Sequence, residues 1–537
     1  YTGDGSSGLY VWGLQLEVGS TASTYHRTEG QPYYGPGATP KGLLIEEQRA
    51  NLISYSEDFS ASGLNPAQSP AGSLTLTHND ALAPDGTTTA TKLVATSSGG
   101  NTGHLLYKVV SIDNDTTVTA SVFMKNAGQG WGYLQLANTG YVSTKNVYVD
   151  LENGVLGASS DSSATIEDYG NGWYRVSVTN TTDSDDGNDV VAIGVAYGDA
   201  GTVFTGDDTN GIYIWGWQKE LGSFPTSYIK NTGTGATRNA DVATMGPTTG
   251  GTELVTNGTY DTDTTGWTAA NSTLSVVSNR LRVTSDGGSV GGAPPQANQT
   301  LSLVVGRRYR VTADVNFGTS ANAVVQINAN SGGAFTTSQT LTSSGSVSLD
   351  FTAQVTDGKV IVHLQSVPTT SGQYQEFDNV SVRELYPFEQ YNPAEGTYYI
   401  HSKRSTDANT RFYILNPIAD GVSPLEQMYL WHWEGSATTV RWKMDSGGVA
   451  SSTDATRTTT LDADMRLAAP YKSNSAALAL NGSASNTDTS VTVPPIDKIA
   501  FGYAEAPNNF FLNGHIKEVS YYARRLSNEA LKALTDD

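Results

Sequence analysis

Hydrophobic and polar positions alternate with a period of two through most of this chain. "TVTASVFMK" (117–125), "WYRVSVTN" (173–180), "RYRVTADVNF" (308–317) and "KVIVHLQSV" (359–367) all show it, the pattern of strands with one buried face. Between such runs lie clusters like "DSDDGND" (183–189) and "TSSGS" (342–346), which read as solvated loops. Strands at this spacing, with no helical periodicity between them, predict stacked antiparallel sheets, either β-sandwiches or jelly rolls. One helix is predicted, at the end. There "LSNEALKALTDD" (526–537) offers Ser527 as N-cap and sets Leu526, Ala530, Leu531 and Leu534 on one face.

The pattern also repeats at long range. "GLYVWGLQLEVGSTASTYH" (8–26) is a near copy of "GIYIWGWQKELGSFPTSYI" (211–229). Laying Trp12 on Trp215 brings Tyr10, Gly13, Gln15, Glu17, Gly19, Ser20 and Tyr25 onto identical residues. Duplication of this kind marks repeated structural units. The second copy closes a long patterned stretch, whereas the first has none before it. Residues 1–26 are therefore expected to be the last strands of a preceding module, completed by a longer polypeptide or by a neighbouring chain.

Length and punctuation set the remaining boundaries. A chain of 537 residues has room for about three or four domains. Residues 27–50, with "QPYYGPGATPKG", read as a connector rich in Pro and Gly. Residues 51–231 form a jelly-roll module ending in the repeated segment. Residues 232–251 read as a second linker, 252–385 as another jelly roll, and 386–537 as a last sandwich.

Composition narrows the function. The chain has no cysteine, which excludes disulfides, thiolate metal sites and a cysteine nucleophile, and gives weight to a bacterial or viral origin. A net charge of −21 is the opposite of the basic footprint that nucleic acid requires. It suits solubility and oxygen-ligand cation sites. No apolar run approaches the roughly 20 residues of a membrane-spanning helix, so neither nucleic-acid binding nor membrane insertion is expected. The seven histidines are scattered without an H-E-x-x-H, and no G-x-S-x-G elbow is present. Neighbouring acids such as Glu46 and Glu47 would point to opposite faces of a strand rather than share a substrate. The chain is read as non-enzymatic.

Three stretches, "GLLIEEQRANLISYSEDFS" (42–60), "DYGNGWYRVSVT" (168–179) and the segment 211–229, together resemble a module common in bacteriophage virion proteins, especially tail-fibre and adhesin-like ones. "NGHIKEVSYYARRLSNEALKALT" (513–535) resembles the end of a laminin-G/concanavalin-like domain that often follows that module. In such proteins a segment like "ATRNADVATM" (236–245) leads straight into the last domain, near "YNPAEGTYYI" (391–400). Here residues 252–385 look inserted at the join. With "ELVTNGTYDTDTTGW" (253–267) and "DNVSV" (378–382), that insert is similar to the jelly-roll carbohydrate-binding modules of polysaccharide-active enzymes.

The resemblance implies a fibre or spike component on the virion surface that binds host cell-surface polysaccharide. Other virion proteins would be its partners, and it would be a homo-oligomer, trimeric by analogy. For the insert it implies a structural Ca²⁺ clamping the two chain ends, with Glu253, Asn257 and Asp378 as candidate ligands. Two other readings stay open: an accessory carbohydrate-binding region of a secreted polysaccharide-degrading enzyme, and a structural or decorating virion protein without glycan specificity.

Aromatic side chains are the candidate glycan contacts, since the apolar face of a sugar ring stacks on an indole or phenol. Trp131 lies among glycines in "NAGQGWGYLQL", which leave a ring open to a ligand. Tyr141, in "NTGYVS", follows at the same edge. In "MYLWHWEGS" (428–436), Tyr429, Trp431 and Trp433 share one strand face, with His432 on the other, and Trp442 stands on the next strand. One face of that hairpin is core and the other a concave sugar-binding face, and the pattern alone leaves open which one holds the tryptophans. Trp12, Trp215 and Trp173 are expected to be packing residues, Trp267 a structural residue near the first strand of the insert, and His432 a surface residue.

Overall fold

The computed structural model describes residues 42–60, 66–110, 112–137, 143–182, 189–233, 235–287, 293–330, 336–364, 370–404, 412–419, 427–433, 439–446, 449–450, 455–458, 464–484, 487–504 and 510–536. Strands paired antiparallel account for nearly all of its regular structure. They group into two units, one built on Glu46–Asp241 and the other on Gly42–Ile45 with Val242–Arg404 and Ala408–Asp537.

The Glu46–Asp241 unit is a sandwich of two six-stranded sheets. The first runs Val155–Leu156, Lys145–Asp150, Trp131–Ala137, Val190–Ala196, Leu105–Val109, Ala67–Ser69. The second runs Thr165–Asp168, Trp173–Thr181, Thr117–Ala127, Gly211–Leu221, Ala90–Ala95, Leu74–Ala81. Alternate residues of the first sheet, among them Leu134, Val147 and Ile193, meet Val122, Val176 and Ile212 of the second in one core, as the period-two pattern predicts.

The second sheet departs from that pattern, because residues 118–124 are all buried. Its outer face is covered as well, by the repeated segment. Gly216, at φ 63°, opens a bulge between Trp215 and Gln218. The bulge sends Trp217 into the core beside Phe59 and Trp215 outward against Phe123 and Tyr228. After Leu221 the chain turns at Gly222, φ 113°, and fastens back onto its own strand. Glu220 accepts from the Thr226 N–H and hydroxyl at 2.9 and 2.6 Å, and Gln218 Oε1 from the Ile229 N–H at 2.7 Å. Arg175 donates to the Thr226 carbonyl at 2.7 Å. Trp215 and Trp173 are packing residues, as expected, with their N–H groups given to Thr89 Oγ1 and the Leu82 carbonyl. The copy at 8–26, Trp12 included, lies outside the described residues.

The other unit contains two sandwiches. One stacks the five-stranded sheet Thr268–Ala270, Gln296–Ser302, Asp357–Leu364, Ala323–Ala329, Thr336–Leu341 on the five-stranded sheet Ser272–Val276, Leu281–Ser285, Tyr374–Glu384, Arg308–Asn316, Gly345–Thr352 around its own core. The last sandwich packs a sheet centred on Glu395–Arg404 against one centred on Gln427–Trp433. The final helix, Asn528–Thr535, is capped by Ser527, whose hydroxyl accepts from the Ala530 N–H at 3.2 Å. Its Leu531 is buried on Ala468, Ala477 and Ala479.

The connector and linker readings need correction. Leu43–Ile45 pairs with Gly514–Tyr522, Thr244–Met245 with Lys498–Phe501, and Arg49–Asn51 with Ala236–Arg238. Open sheet edges offer hydrogen-bond partners to extended backbone whatever its side chains. Thr248 and Tyr386 exchange both backbone hydrogen bonds, at 2.7 and 2.8 Å, and Glu253 bridges Arg383. The two ends of the 252–385 segment thus leave and re-enter side by side.

Candidate glycan-binding face

The strand Trp131–Ala137 alternates strictly. Gly132, Leu134 and Leu136 turn to the core, and Trp131, Tyr133 and Gln135 turn outward. The neighbouring strand Lys145–Asp150 matches it in register, Asn146 with Gln135, Tyr148 with Tyr133 and Asp150 with Trp131. On the other side Ala192, Gly194 and Ala196 oppose Gln135, Tyr133 and Trp131, and Tyr107 opposes Ala192. Small residues on that central strand let Tyr133 lie flat. A Cβ on Gly194 would fall 2.2 Å from its ring. The outer face therefore carries a row of aromatic and amide side chains about 13 Å long from Trp131 to Gln135, at 3.3 Å per residue.

The row has distinct parts. Tyr133 is only 2% exposed and packs with Tyr148 and Ala196. Burial pushes the phenols of Tyr133 and Tyr148 above their ordinary range, with Asp199 adding to the effect on Tyr148, so both remain protonated donors. Trp131 is half-buried, with Gly157 and Asp199 along one edge of its ring. Gln135 donates to Asn146 Oδ1 at 2.7 Å. That fixes both amides while leaving Gln135 Oε1 and the Asn146 NH₂ without a hydrogen bond among the described residues. Asp150 borders the face, and Lys145 is paired with Asp161 at 2.9 Å. A partly open indole can stack on a sugar ring and the fixed amides beside it can hydrogen-bond its hydroxyls, with the buried phenols of Tyr133 and Tyr148 as the floor beneath them.

The other candidates fare differently. Tyr141 and the side chains of His432 and Trp433 lie outside the described residues. Trp442 is corrected: it opposes Leu430, is 1% exposed, packs with Met428 and Met444 in the core, and donates its N–H to the Pro470 carbonyl at 2.9 Å. It cannot meet a ligand there. Tyr429 and Trp431 turn to the opposite face, where they contact each other and Tyr413. Lys443 lies over the Tyr429 ring, and the Tyr429 hydroxyl donates to Asp445 at 2.9 Å. Both rings are covered, at 6% and 7% exposure.

The residues considered for calcium do not form a site that fits it. Glu253 Oε1 accepts from the Val255 and Val382 N–H groups, each at 2.9 Å. Its Oε2 takes the Ser381 hydroxyl and lies 3.2 Å from Arg383 Nε. Asn257 turns its NH₂ to Asp263 and the Thr265 carbonyl, while Asp378 accepts from Asn379. Among the described residues no three His, Asp or Glu side chains gather in one group. Glu253 itself ties the start of the insert to its last strand, Tyr374–Glu384. Trp267 is structural, with its N–H on the Asn257 carbonyl at 3.2 Å.

Sequence reasoning missed Tyr133, Tyr148, Gln135 and Asn146. Their signal was present: in "WGYLQLA" and "KNVYVD" the positions off the apolar register hold aromatics and amides rather than the usual Ser, Thr and Lys.

No protein-family model matches the sequence, and no curated protein matches it. Among solved structures, the carbohydrate-binding module CBM40 of Ruminococcus gnavus IT-sialidase, bound to α2,3-sialyllactose, aligns at 16% identity and a TM-score of 0.24, over 28% of this chain and 85% of that one. A CBM4 module aligns at 18% identity and a TM-score of 0.21, over 24% and 98%. The NanB sialidase of Streptococcus pneumoniae aligns at 14% identity and a TM-score of 0.23, over 27% and 24%.

Proposed function

We propose that this chain is a non-enzymatic, glycan-binding component of a virion surface appendage. The observation that carries the binding reading is the outer face of the sheet holding Trp131, where a partly open indole continues into the fixed amides of Gln135 and Asn146. The virion setting rests on the resemblance of residues 42–60, 168–179 and 211–229. Binding at one such face is weak, and several copies on one particle multiply it by about 10²–10⁴ through effective concentration.

The test is incubation of the chain with envelope polysaccharides of candidate hosts, following both retention and the release of reducing ends. Retention without new ends is expected. Trp131→Ala should weaken retention at least tenfold while the thermal transition moves by no more than a few degrees. New reducing ends would overturn the non-enzymatic reading. Unchanged retention in the variant would remove this face as the site.

A further inference from the structure

A cavity of about 560 Å³ opens beside the edge strand Leu74–Ala81 of the second sheet in the Glu46–Asp241 unit. Three pieces of chain line it: the turn 55–60 from "ISYSEDFS", the strand pair around His78 and Thr91, and residues 230–232 just past the repeated segment. Its volume falls within the range of about 300–1,000 Å³ typical of small-ligand sites. Neither the core nor the Trp131 face accounts for it.

Two backbone features converge on this cavity. Asn79 stands at φ 55°, where the edge strand loses register between Thr77 and Ala81, the kind of bulge that re-aims a side chain. Tyr55 stands at φ 53°, a conformation that costs a bulky residue on the order of 1 kcal/mol. Tyr55 is nevertheless 39% exposed at the rim, with the hydroxyl edge of its ring beside Gly233. A strained, exposed aromatic contributes little to folding and is placed to meet something else.

The lining is polar, with one ion pair and one further carboxylate, that of Asp58. Glu57 is held by Lys230 at 2.6 Å and by the Tyr228 hydroxyl at 3.2 Å. Asp58 accepts from the Ser60 N–H at 3.0 Å and feels the His78 ring nearby. His78 Nδ1 reaches Thr91 at 3.4 Å. His78 Nε2, the Asn79 amide and the Thr232 hydroxyl make no hydrogen bond among the described residues, and all three residues line the cavity. An anion would meet Asp58 with no uncommitted cation to offset it, and an apolar ligand would strand the polar lining. An uncharged ring bearing several hydroxyls satisfies both conditions.

We infer that this cavity is a second saccharide site, taking one uncharged pyranose ring with Tyr55 against its apolar face and His78, Asn79 and Thr232 on its hydroxyls. The inference rests on the glycan-binding reading for its ligand class, but not on the Trp131 face.

The test uses the full chain, with saturation-transfer NMR and calorimetric titration of maltotriose, mannotriose and chitotriose, and sialyllactose as the anionic control. Tyr55→Gly and Asn79→Gly each remove a contact while keeping a residue that accepts positive φ, so the melting temperature should hold or rise. The expected result is binding of at least one neutral trisaccharide, weakened tenfold or more in either glycine variant and retained in Trp131→Ala, with sialyllactose weaker. Loss in the glycine variants alone supports the cavity and tells against the Trp131 face. Loss in Trp131→Ala alone overturns the cavity and leaves that face standing. Unchanged binding in both glycine variants, equal binding of sialyllactose, or no binding of any neutral trisaccharide also overturns the cavity site.

Discussion

Lys219 carries its ammonium into the interior of the Glu46–Asp241 unit, where Nζ donates to the Val110 carbonyl at 2.6 Å. Burial pulls its pKa down from 10.5 to about 8, with the carboxylate of Asp189 working against the shift. The folded group therefore loses its proton before the unfolded one does. Between pH 8 and about 10 the unfolded chain holds the extra proton, so stability should rise with pH across that window. Higher still, the trend should reverse, because burial raises the Tyr228 phenol above its ordinary value and the unfolded chain ionises first. Denaturant midpoints measured from pH 7 to 10 should show the rise, and Lys219→Met should flatten it. A rise that persists in the variant would assign the effect to another group. At this same scale the tryptophans divide. Trp442 and Trp217 are interior residues, while Trp131 keeps part of its ring at the surface, so a binding role is open to it alone of the three.

At the scale of elements, the repeated segment is a strand with its own fastening. The bulge at Gly216 sets Trp215 and Trp217 on opposite faces of a strand in which spacing alone would put them together. The return past Gly222 covers the outer face, and Glu220 is its anchor, fully buried and accepting from Thr226 and Gln218. Burial raises the Glu220 carboxyl, and its hydrogen bonds and Arg175 oppose that. Glu220→Ala leaves buried donors unmet and should cost about 3 kcal/mol or more, read as a lower denaturant midpoint for the unit. A cost below about 1 kcal/mol would mean that the return segment holds without it.

At the scale of the molecule, the insert hangs from the last sandwich on a two-stranded stem, Thr248 opposite Tyr386. Replacing residues 249–385 with Asn-Gly, a dipeptide suited to a tight hairpin, should leave a chain that still folds cooperatively, because the last sandwich has its own core. One contact resists this. Arg308 of the insert pairs at 2.6 Å with Asp497, whose side chain is 2% exposed in the last sandwich, and losing the partner leaves a buried charge. The deletion should therefore be more stable with Asp497→Asn than without it. Circular dichroism melts of the two shortened chains check this, and a broad, non-cooperative transition in both would show that the insert is part of the host fold.

Much of this architecture was legible from local pattern. Alternation over two residues marks a strand wherever it lies, turn residues mark its ends, and Ser527 with the apolar face after it marks the helix. These signals are carried by neighbours in the chain, so the sequence by itself determined that the protein is built of antiparallel sandwiches and where most strands run. Register, bulges and coverage depend on residues far apart in the chain. Leu43 finds Ile516, and Thr244 finds Ala500, so segments of connector composition became edge strands. Alternation showed that Trp131 and Trp442 each occupy one face of a strand. Only the sheets packed around them decided that one ring borders solvent and the other is sealed. For Glu253, the family resemblance implied a cation ligand. The tertiary structure turned it instead onto the N–H groups of Val255 and Val382, where its carboxylate, also bonded to Ser381 and Arg383, is already satisfied.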